Sequence, residues 1–254
     1  YDAVFTMSGN DTIHGGDLPD FLFSGKGNDI VNGGDGKSYQ LVVSPTTIVT
    51  LDVGNLISGG AQADSIFGSG DNNALDLFGY SDVILGDGLA TGSDAGDDYI
   101  DGDKGMNFIY GQDNKDELLT KGYGKFSING KPFIFGSAFW GGPGDDKITG
   151  TDTPLPDIFG DFIDGGKDKD LILAGKGMDC VLGNTEADDI NGGEDEDFLF
   201  GMQDADSIHG NEASDLIVGG KDNDKLYSDA GAFSLMVGNA GEDEIVGNTG
   251  IDVA

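Results

Sequence analysis

The chain has 254 residues, of which 47 are acidic and 13 basic, giving a formal charge of −34. Every basic residue is lysine, so the basic patches that nucleic acid and anionic membrane surfaces require are missing. So high a charge on a chain with 46 glycines would ordinarily signal disorder, but periodic Ile, Leu, Val and Phe argue against that, and a load of bound cations would reconcile charge with order.

Short recurring units begin near the start. "SGNDTIHG", "GGDLPDFLF" and "SGKGNDIVN" place Asp11, Asp20 and Asp29 each two residues before an apolar residue. The pattern then stops. Residues 37–58, "KSYQLVVSPTTIVTLDVGNLIS", are rich in β-branched residues and nearly free of glycine and acid, and predict an insertion with β structure of its own. "GGAQADSIFG", "GYSDVILG", "GDDYIDG" and "GQDNKDELL" resume the units with Asp64, Asp82, Asp98 and Asp116. A second insertion covers about 120–140. Within it, "KFSINGKPFIFGSAFW" predicts a hairpin around Asn129–Gly130, a favoured two-residue turn, with Pro132 on an edge or in irregular pairing. "GGPGDDKIT" and "GDFIDGG" restore the units with Asp146 and Asp161.

From Gly165 to Tyr227 the chain divides without slip into units of nine: GGKDKDLIL, AGKGMDCVL, GNTEADDIN, GGEDEDFLF, GMQDADSIH, GNEASDLIV and GGKDNDKLY. Position 6 is aspartate throughout: Asp170, Asp179, Asp188, Asp197, Asp206, Asp215 and Asp224. Position 8 is always aliphatic, from Ile172 to Leu226, and position 1 is glycine except at Ala174. "GEDEIVG" adds Asp243 near the end. Asn73, Asn107 and Phe233 fall at position 6 in irregular units, and predict weakened or broken sites there.

These units resemble the RTX family, whose calcium-binding nonapeptide reads G-G-x-G-x-D-x-U-x. The resemblance covers most of the chain and is strongest over 165–227. It implies an all-β fold, a right-handed parallel β-roll in which a six-residue turn and a three-residue strand make one unit and two units make one coil. It also implies several Ca2+ ions, each held between turns one coil apart by position-6 aspartates and turn carbonyls. The implied ligands are Asp11, Asp20, Asp29, Asp64, Asp82, Asp98, Asp116, Asp146, Asp161, Asp170, Asp179, Asp188, Asp197, Asp206, Asp215, Asp224 and Asp243. Family members are secreted, often by a type I route.

The physical chemistry points the same way. Calcium takes roughly six to eight hard oxygen ligands. A three-residue strand buries its middle residue alone, which suits an aliphatic position 8. Stacking then predicts aspartate partners eighteen residues apart, including Asp11 with Asp29, Asp64 with Asp82, Asp98 with Asp116 and Asp179 with Asp197. Where position 4 should be glycine the long run has Asp168, Glu186, Asp195, Asp204, Ala213 and Asp222, which left-handed backbone accommodates at a cost.

Positions 7 and 9 face outward. Alternate units carry Cys180 and Leu182, Phe198 and Phe200, Leu216 and Val218, whereas the units between them carry Asp189 and Asn191, Ser207 and His209, Lys225 and Tyr227. One outer face is therefore apolar and requires a cover, from the insertions or from another molecule.

Catalysis is not expected. The two histidines, His14 and His209, both sit at an outward position 9, and the His-x-x-x-His and Gly-x-Ser-x-Gly signatures of the protease and lipase that accompany such repeats are missing. The lone Cys180 cannot form an internal disulfide. No stretch reaches the roughly 20 apolar residues of a membrane span. The function expected is a calcium-folded extracellular building block that assembles with itself; the alternatives are a calcium-folding C-terminal module of a larger enzyme or toxin, and an adhesin. The start at Tyr1, without a secretory leader, and the final "GNTGIDVA" fit a processed chain or a piece of a longer one.

Overall fold

The computed structural model describes residues 2–16, 20–34, 37–44, 47–53, 56–61, 65–67, 83–86, 96–102, 105–128, 131–152, 159–230 and 233–247. Among them there is no helix; the chain alternates between two parallel sheets of eleven strands each. Strands are numbered along the chain. Sheet A holds β1 (Ala3–Phe5), β3 (Phe21–Lys26), β7 (Leu56–Ala61), β9 (Val83–Leu85), β11 (Phe108–Tyr110), β15 (Ala138–Pro143), β17 (Phe162–Lys167), β19 (Cys180–Asn184), β21 (Phe198–Met202), β23 (Leu216–Lys221) and β25 (Leu235–Ala240). Sheet B holds β2 (Thr12–His14), β4 (Ile30–Asn32), β8 (Ser65–Phe67), β10 (Tyr99–Asp101), β12 (Glu117–Leu119), β16 (Lys147–Thr149), β18 (Leu171–Lys176), β20 (Asp189–Glu194), β22 (Ser207–Asn211), β24 (Lys225–Tyr227) and β26 (Glu244–Val246). This is the expected parallel β-roll.

The one-in, two-out rhythm of each strand follows from its length. Position 8 points between the sheets: Ile163, Val181, Leu199 and Ile217 from sheet A, and Ile172, Ile190, Ile208 and Leu226 from sheet B, are all fully buried. Neighbouring coils stack in register, Phe162 opposite Cys180, Cys180 opposite Phe198 and Phe198 opposite Leu216. The core is thus one column of aliphatic side chains from each sheet, with each residue's backbone hydrogen bonds made to the coils on either side.

The pattern extends further than the sequence motif. Ala138–Trp140, expected as insertion, open β15 with Phe139 fully buried in the core column. Leu56–Ser58, also expected as insertion, open β7 and pair with Phe21–Phe23. Both strands lack the aspartate signal, having Ser137 and Asn55 in front of them, which hides them from a motif search. What remains of the insertions is two antiparallel hairpins, β5 (Lys37–Ser44) with β6 (Thr47–Val53), and β13 (Gly124–Ile128) with β14 (Lys131–Phe135). In the second, Ile128 pairs with Lys131 and Pro132 lies opposite Ser127, with no third strand among the described residues; Asn129 and Gly130, the expected turn, lie outside them.

The two long edges of the roll differ. Turns that lead from sheet A to sheet B keep a nine-residue step throughout, except between Val83 and Tyr99. Turns that lead from sheet B back to sheet A are lengthened between Ile30 and Leu56, Ser65 and Val83, Glu117 and Ala138, Lys147 and Phe162, and Lys225 and Leu235. Both hairpins therefore leave from the B-to-A edge. A solenoid tolerates this because an insertion at a turn leaves the stack on either side intact.

Counting by nines fails across these insertions. Eighteen residues apart, Ser65 opens β8 of sheet B and Val83 opens β9 of sheet A, so these two strands are not neighbours in one sheet. Asp64 and Asp82, expected as a stacked pair, lie outside the described residues.

Candidate metal centre

Each described position-6 aspartate ends a turn and precedes a strand, and in the regular turns its carboxylate folds back towards the position-1 residue. One oxygen, Oδ1, accepts a hydrogen bond from the backbone amide of the aspartate one coil before it. Asp161 N–H donates to Asp179 (2.5 Å), Asp170 to Asp188, Asp179 to Asp197 and Asp188 to Asp206 (2.9 Å each), Asp197 to Asp215 (3.1 Å), and Asp206 to Asp224 (2.9 Å). The ladder continues outside the long run, from Asp2 to Asp20, Asp11 to Asp29, Asp98 to Asp116, Asp116 to Asp146, Asp146 to Asp170 and Asp224 to Asp243. The steps from Asp116 to Asp146 and from Asp146 to Asp170 are longer than eighteen residues, because insertions intervene without altering the bond. Asp2 was not among the sequence candidates; only its place before β1 marks it.

The second oxygen has a different surrounding. Oδ2 of Asp146, Asp170, Asp179, Asp188, Asp197, Asp206, Asp215 and Asp224 is buried without a hydrogen-bond partner. An unpartnered buried carboxylate oxygen is costly, and a row of them requires an explanation. Burial is the largest cause that raises these acids: Asp170, Asp197 and Asp206 to about 8, Asp146 and Asp188 to about 7, and Asp179 to about 10, where the charges of Asp161 and Asp197 add to the effect. Without a counter-charge the folded roll holds these groups against their ionised form.

Position-1 glycine shapes the same place. A Cβ added to Gly165 would lie 2.5 Å from Asp170 Oδ2 and 3.1 Å from the carbonyl oxygen of Gly183. The missing side chain thus leaves room where a carboxylate and a carbonyl of the next coil approach one another. Gly183 with Asp188 and the Gly201 carbonyl, and Gly201 with Asp206 and the Gly219 carbonyl, repeat the arrangement. Among the described residues no three carboxylate, His or Cys groups converge, so a cation in this place would take most of its ligands from backbone carbonyls. That all-oxygen, one-carboxylate-per-turn set suits calcium, whose shell is large and flexible. The residues present therefore fit the ion. When bound, it would supply positive charge that holds the buried carboxylates ionised and joins successive turns.

Other acids are placed differently. Asp168, Glu186, Asp195, Asp204 and Asp222 all have φ near +70° and lie at position 4. Asp195 Oδ2 accepts from the Gly177 amide (3.2 Å) and Glu194 pairs with Lys176 (2.9 Å), so both belong to the turn surface. Asp11 and Asp243 are half-buried at the first and last described rungs of sheet B, Asp20, Asp29, Asp98 and Asp116 are buried, and all of them make the same coil-to-coil bond, Asp20 on the B-to-A edge and the rest on the A-to-B edge. Phe233, predicted to hold position 6, is instead 45% exposed; the turn has one extra residue, and Ser234 takes the place, accepting from the Asp215 amide at 3.2 Å. Asn107, as expected, stands at position 6, fully buried.

The family pattern of the RTX calcium-binding nonapeptide repeat matches residues 5–38, 52–77, 93–120, 159–179, 182–217, 200–232 and 236–254. That is well over half of the chain, which therefore belongs to the RTX calcium-binding repeat proteins, a family whose members are typically exported and extracellular. No curated protein matches it.

Over 174–227 the outer surfaces separate as the sequence indicates, but elsewhere sheet B also exposes Ile30, Leu171 and Val246. Sheet A carries Phe21, Val83, Phe162, Phe198 and Leu235 at position 7, each more than a third exposed. At position 9, Phe5 stacks on Phe23 (5.0 Å between ring centres) and Tyr110 on Trp140 (4.5 Å). Cys180 is half-buried between Phe162 and Phe198, and burial together with the Asp179 charge pushes its thiol up, away from reactivity. On sheet B, His209 stacks on Tyr227 and meets Asp229 at 3.0 Å. The exposed positions show that the hairpins do not cover sheet A along its length.

Proposed function

We propose that this protein is an extracellular, non-catalytic building block that folds on calcium and then associates with further copies of itself through the outer face of sheet A. The observation that carries the reading is the apolar face itself. Its position-7 and position-9 columns are apolar almost throughout, with Asp164, hydrogen-bonded to Asn184 (2.6 Å), as an exception. Bound calcium offsets part of the −34 charge, and acids that stay at the turn surface, Asp168, Asp195 and Asp204 among them, lie on the edges of the roll, so contact through the sheet A face meets little of the remaining repulsion. Burying one large apolar side chain contributes about 1.5–3 kcal/mol, which makes a permanently wet stripe of phenylalanines unfavourable. A flat sheet face is also complementary to a second flat sheet face, at the roughly 10 Å spacing of stacked sheets. The absence of a role in catalysis is supported by the employment of the buried acids in the coil-to-coil ladder and by the outward histidines.

The test is sedimentation velocity on the calcium-loaded chain and on the Phe198→Asp/Phe200→Asp variant. Concentration-dependent assembly of the wild type that the variant loses supports the reading. A wild type that stays monomeric at high concentration sinks it, and leaves the role of a calcium-folded module attached to another activity.

A further inference from the structure

The two edges of the roll differ in more than their insertions. Most regular turns pair glycine at position 1 with aspartate at position 6, the carboxylate lying in the space a Cβ would reach; Ala174 with Asp179 is an exception. On the A-to-B edge this pairing runs unbroken over Gly111 with Asp116, Gly141 with Asp146, Gly165 with Asp170 and onward to Gly238 with Asp243. On the B-to-A edge it holds at Gly150 with Asp161 but fails in the turn one coil earlier. Thr120 stands at position 1, buried, and the position-6 residue that follows it is Ser137, also buried. The same exchange recurs as Ser228 with Ser234, both fully buried. Where position 1 gains a side chain and a hydroxyl, position 6 is a serine in both turns.

Hydrogen bonds fill the place that the carboxylate leaves. Asn107 Nδ2 donates to the carbonyl of Gly102 (2.9 Å) and to Thr120 Oγ1 (3.2 Å), so an N–H donor stands where neighbouring turns have Oδ2. Ser137 Oγ accepts from the Asn107 amide at 3.0 Å. One coil on, Asp161 is again an aspartate, but both of its oxygens are used: Oδ1 accepts from the Ser137 amide and Oδ2 from the Thr151 amide (2.7 Å). Thr151 is fully buried and its hydroxyl donates to the Gly122 carbonyl (2.9 Å), which fixes the amide in that direction. Asp161 thus differs from Asp146 and Asp179 on either side in the chain, whose Oδ2 atoms lack hydrogen-bond partners.

We propose that the B-to-A edge contains a metal-free stretch spanning Asn107, Ser137 and Asp161, in which backbone and side-chain donors take the cation's place, while the A-to-B edge carries an uninterrupted row of calcium past the same coils. An amide N–H directs positive charge at a carbonyl or carboxylate as a cation does, but offers no ligand oxygen. Asp161 accordingly acts as an internal hydrogen-bond acceptor and not as a ligand. The β13–β14 hairpin leaves the roll from this stretch, so its base is held by the protein's own donors.

Crystals of the calcium-loaded wild type, measured at a long wavelength where calcium scatters anomalously, test this directly. Peaks are expected in line beside Asp116, Asp146 and Asp170, and none within about 2.6 Å of a side-chain oxygen of Asn107, Ser137 or Asp161. A peak coordinated by any of those three overturns the proposal. Native mass spectrometry gives a second reading: Asp146→Asn should carry fewer calcium ions than the wild type and Asp161→Asn the same number. Loss of an ion from Asp161→Asn, or none from Asp146→Asn, contradicts it. Should Asp161→Asn not fold, the wild-type diffraction still decides.

Discussion

The backbone amide of Asp179 donates to Oδ1 of Asp197 at 2.9 Å, while the other oxygen of Asp197 is buried without a hydrogen-bond partner. One carboxylate therefore does two things: it joins its coil to the one before, and it presents charge to the place where a cation fits. The two can be separated by substitution. Asp197→Asn keeps an acceptor for the Asp179 amide and removes the charge; it should lose calcium while the calcium-saturated fold keeps its strand content. Asp197→Ala removes both and should cost a further 1–3 kcal/mol or so, the usual price of an unsatisfied buried amide. Glu194→Ala, at the turn surface, should be nearly silent. Calcium stoichiometry and urea melts of the three variants check the order; equal calcium binding in wild type and Asp197→Asn would contradict the assignment.

The pH response of the metal-free chain follows from the raised carboxyls. Burial lifts Asp170, Asp197 and Asp206 to about 8 in the folded roll, whereas an aspartate in an unfolded chain sits at about 3.9. The folded state then binds more protons than the unfolded state between those values, so its stability falls as pH rises through that interval. In chelator, the chain should gain strand signal on acidification from pH 8 towards pH 4. Calcium affinity should move oppositely, weakening in acid as protons compete for the same oxygens. Circular dichroism with and without calcium across this range reads both trends, and a metal-free chain equally unfolded at both ends would contradict the first.

Backbone strain gives a prediction independent of metal ligation. Ala213 holds φ of +69° at a position the repeat reserves for glycine. A left-handed conformation costs a non-glycine residue about 1–2 kcal/mol. Ala213→Gly should therefore raise the stability of the calcium-loaded protein by about 1 kcal/mol without changing its calcium content. A lowered denaturation midpoint would count against the strained turn.

The core column is as sensitive as any close-packed interior despite being one side chain wide. Ile208 is fully buried between Ile190 and Leu226 of the adjoining coils. Ile208→Ala should destabilise the loaded protein by about 2–5 kcal/mol. Ser207→Ala, one residue away on the outer face, should shift the melt little. Equal effects of the two would mean that the strand does not alternate as described.

The long run from Gly165 to Tyr227 is legible because a strict nine-residue period fixes which residue enters the core and which meets the next coil. Legibility fails where a turn changes chemistry. Ser137 before β15 and Ser234 before β25 do the structural work of aspartates, and Phe139 and Met236 fill aliphatic places, so neither strand carries the motif that would announce it. The eighteen-residue step from Ser65 to Val83 misleads for a related reason, since it joins strands of different sheets and spacing along the chain does not report which edge a turn belongs to once insertions intervene. Which carboxylate oxygens are already satisfied, as in Asp161, depends on donors such as Thr151 that no repeat pattern contains.

The account rests on calcium as the agent of folding, because the same carboxylates that knit the coils together oppose folding while their charge is unmatched. Far-ultraviolet circular dichroism of the full chain at neutral pH, in chelator and then in millimolar calcium, measures this most directly. The account predicts a largely unordered spectrum in chelator, a strand spectrum on addition of calcium, and poor substitution by magnesium, whose shell is small and rigid. Strand content that is the same in chelator as in calcium would contradict it.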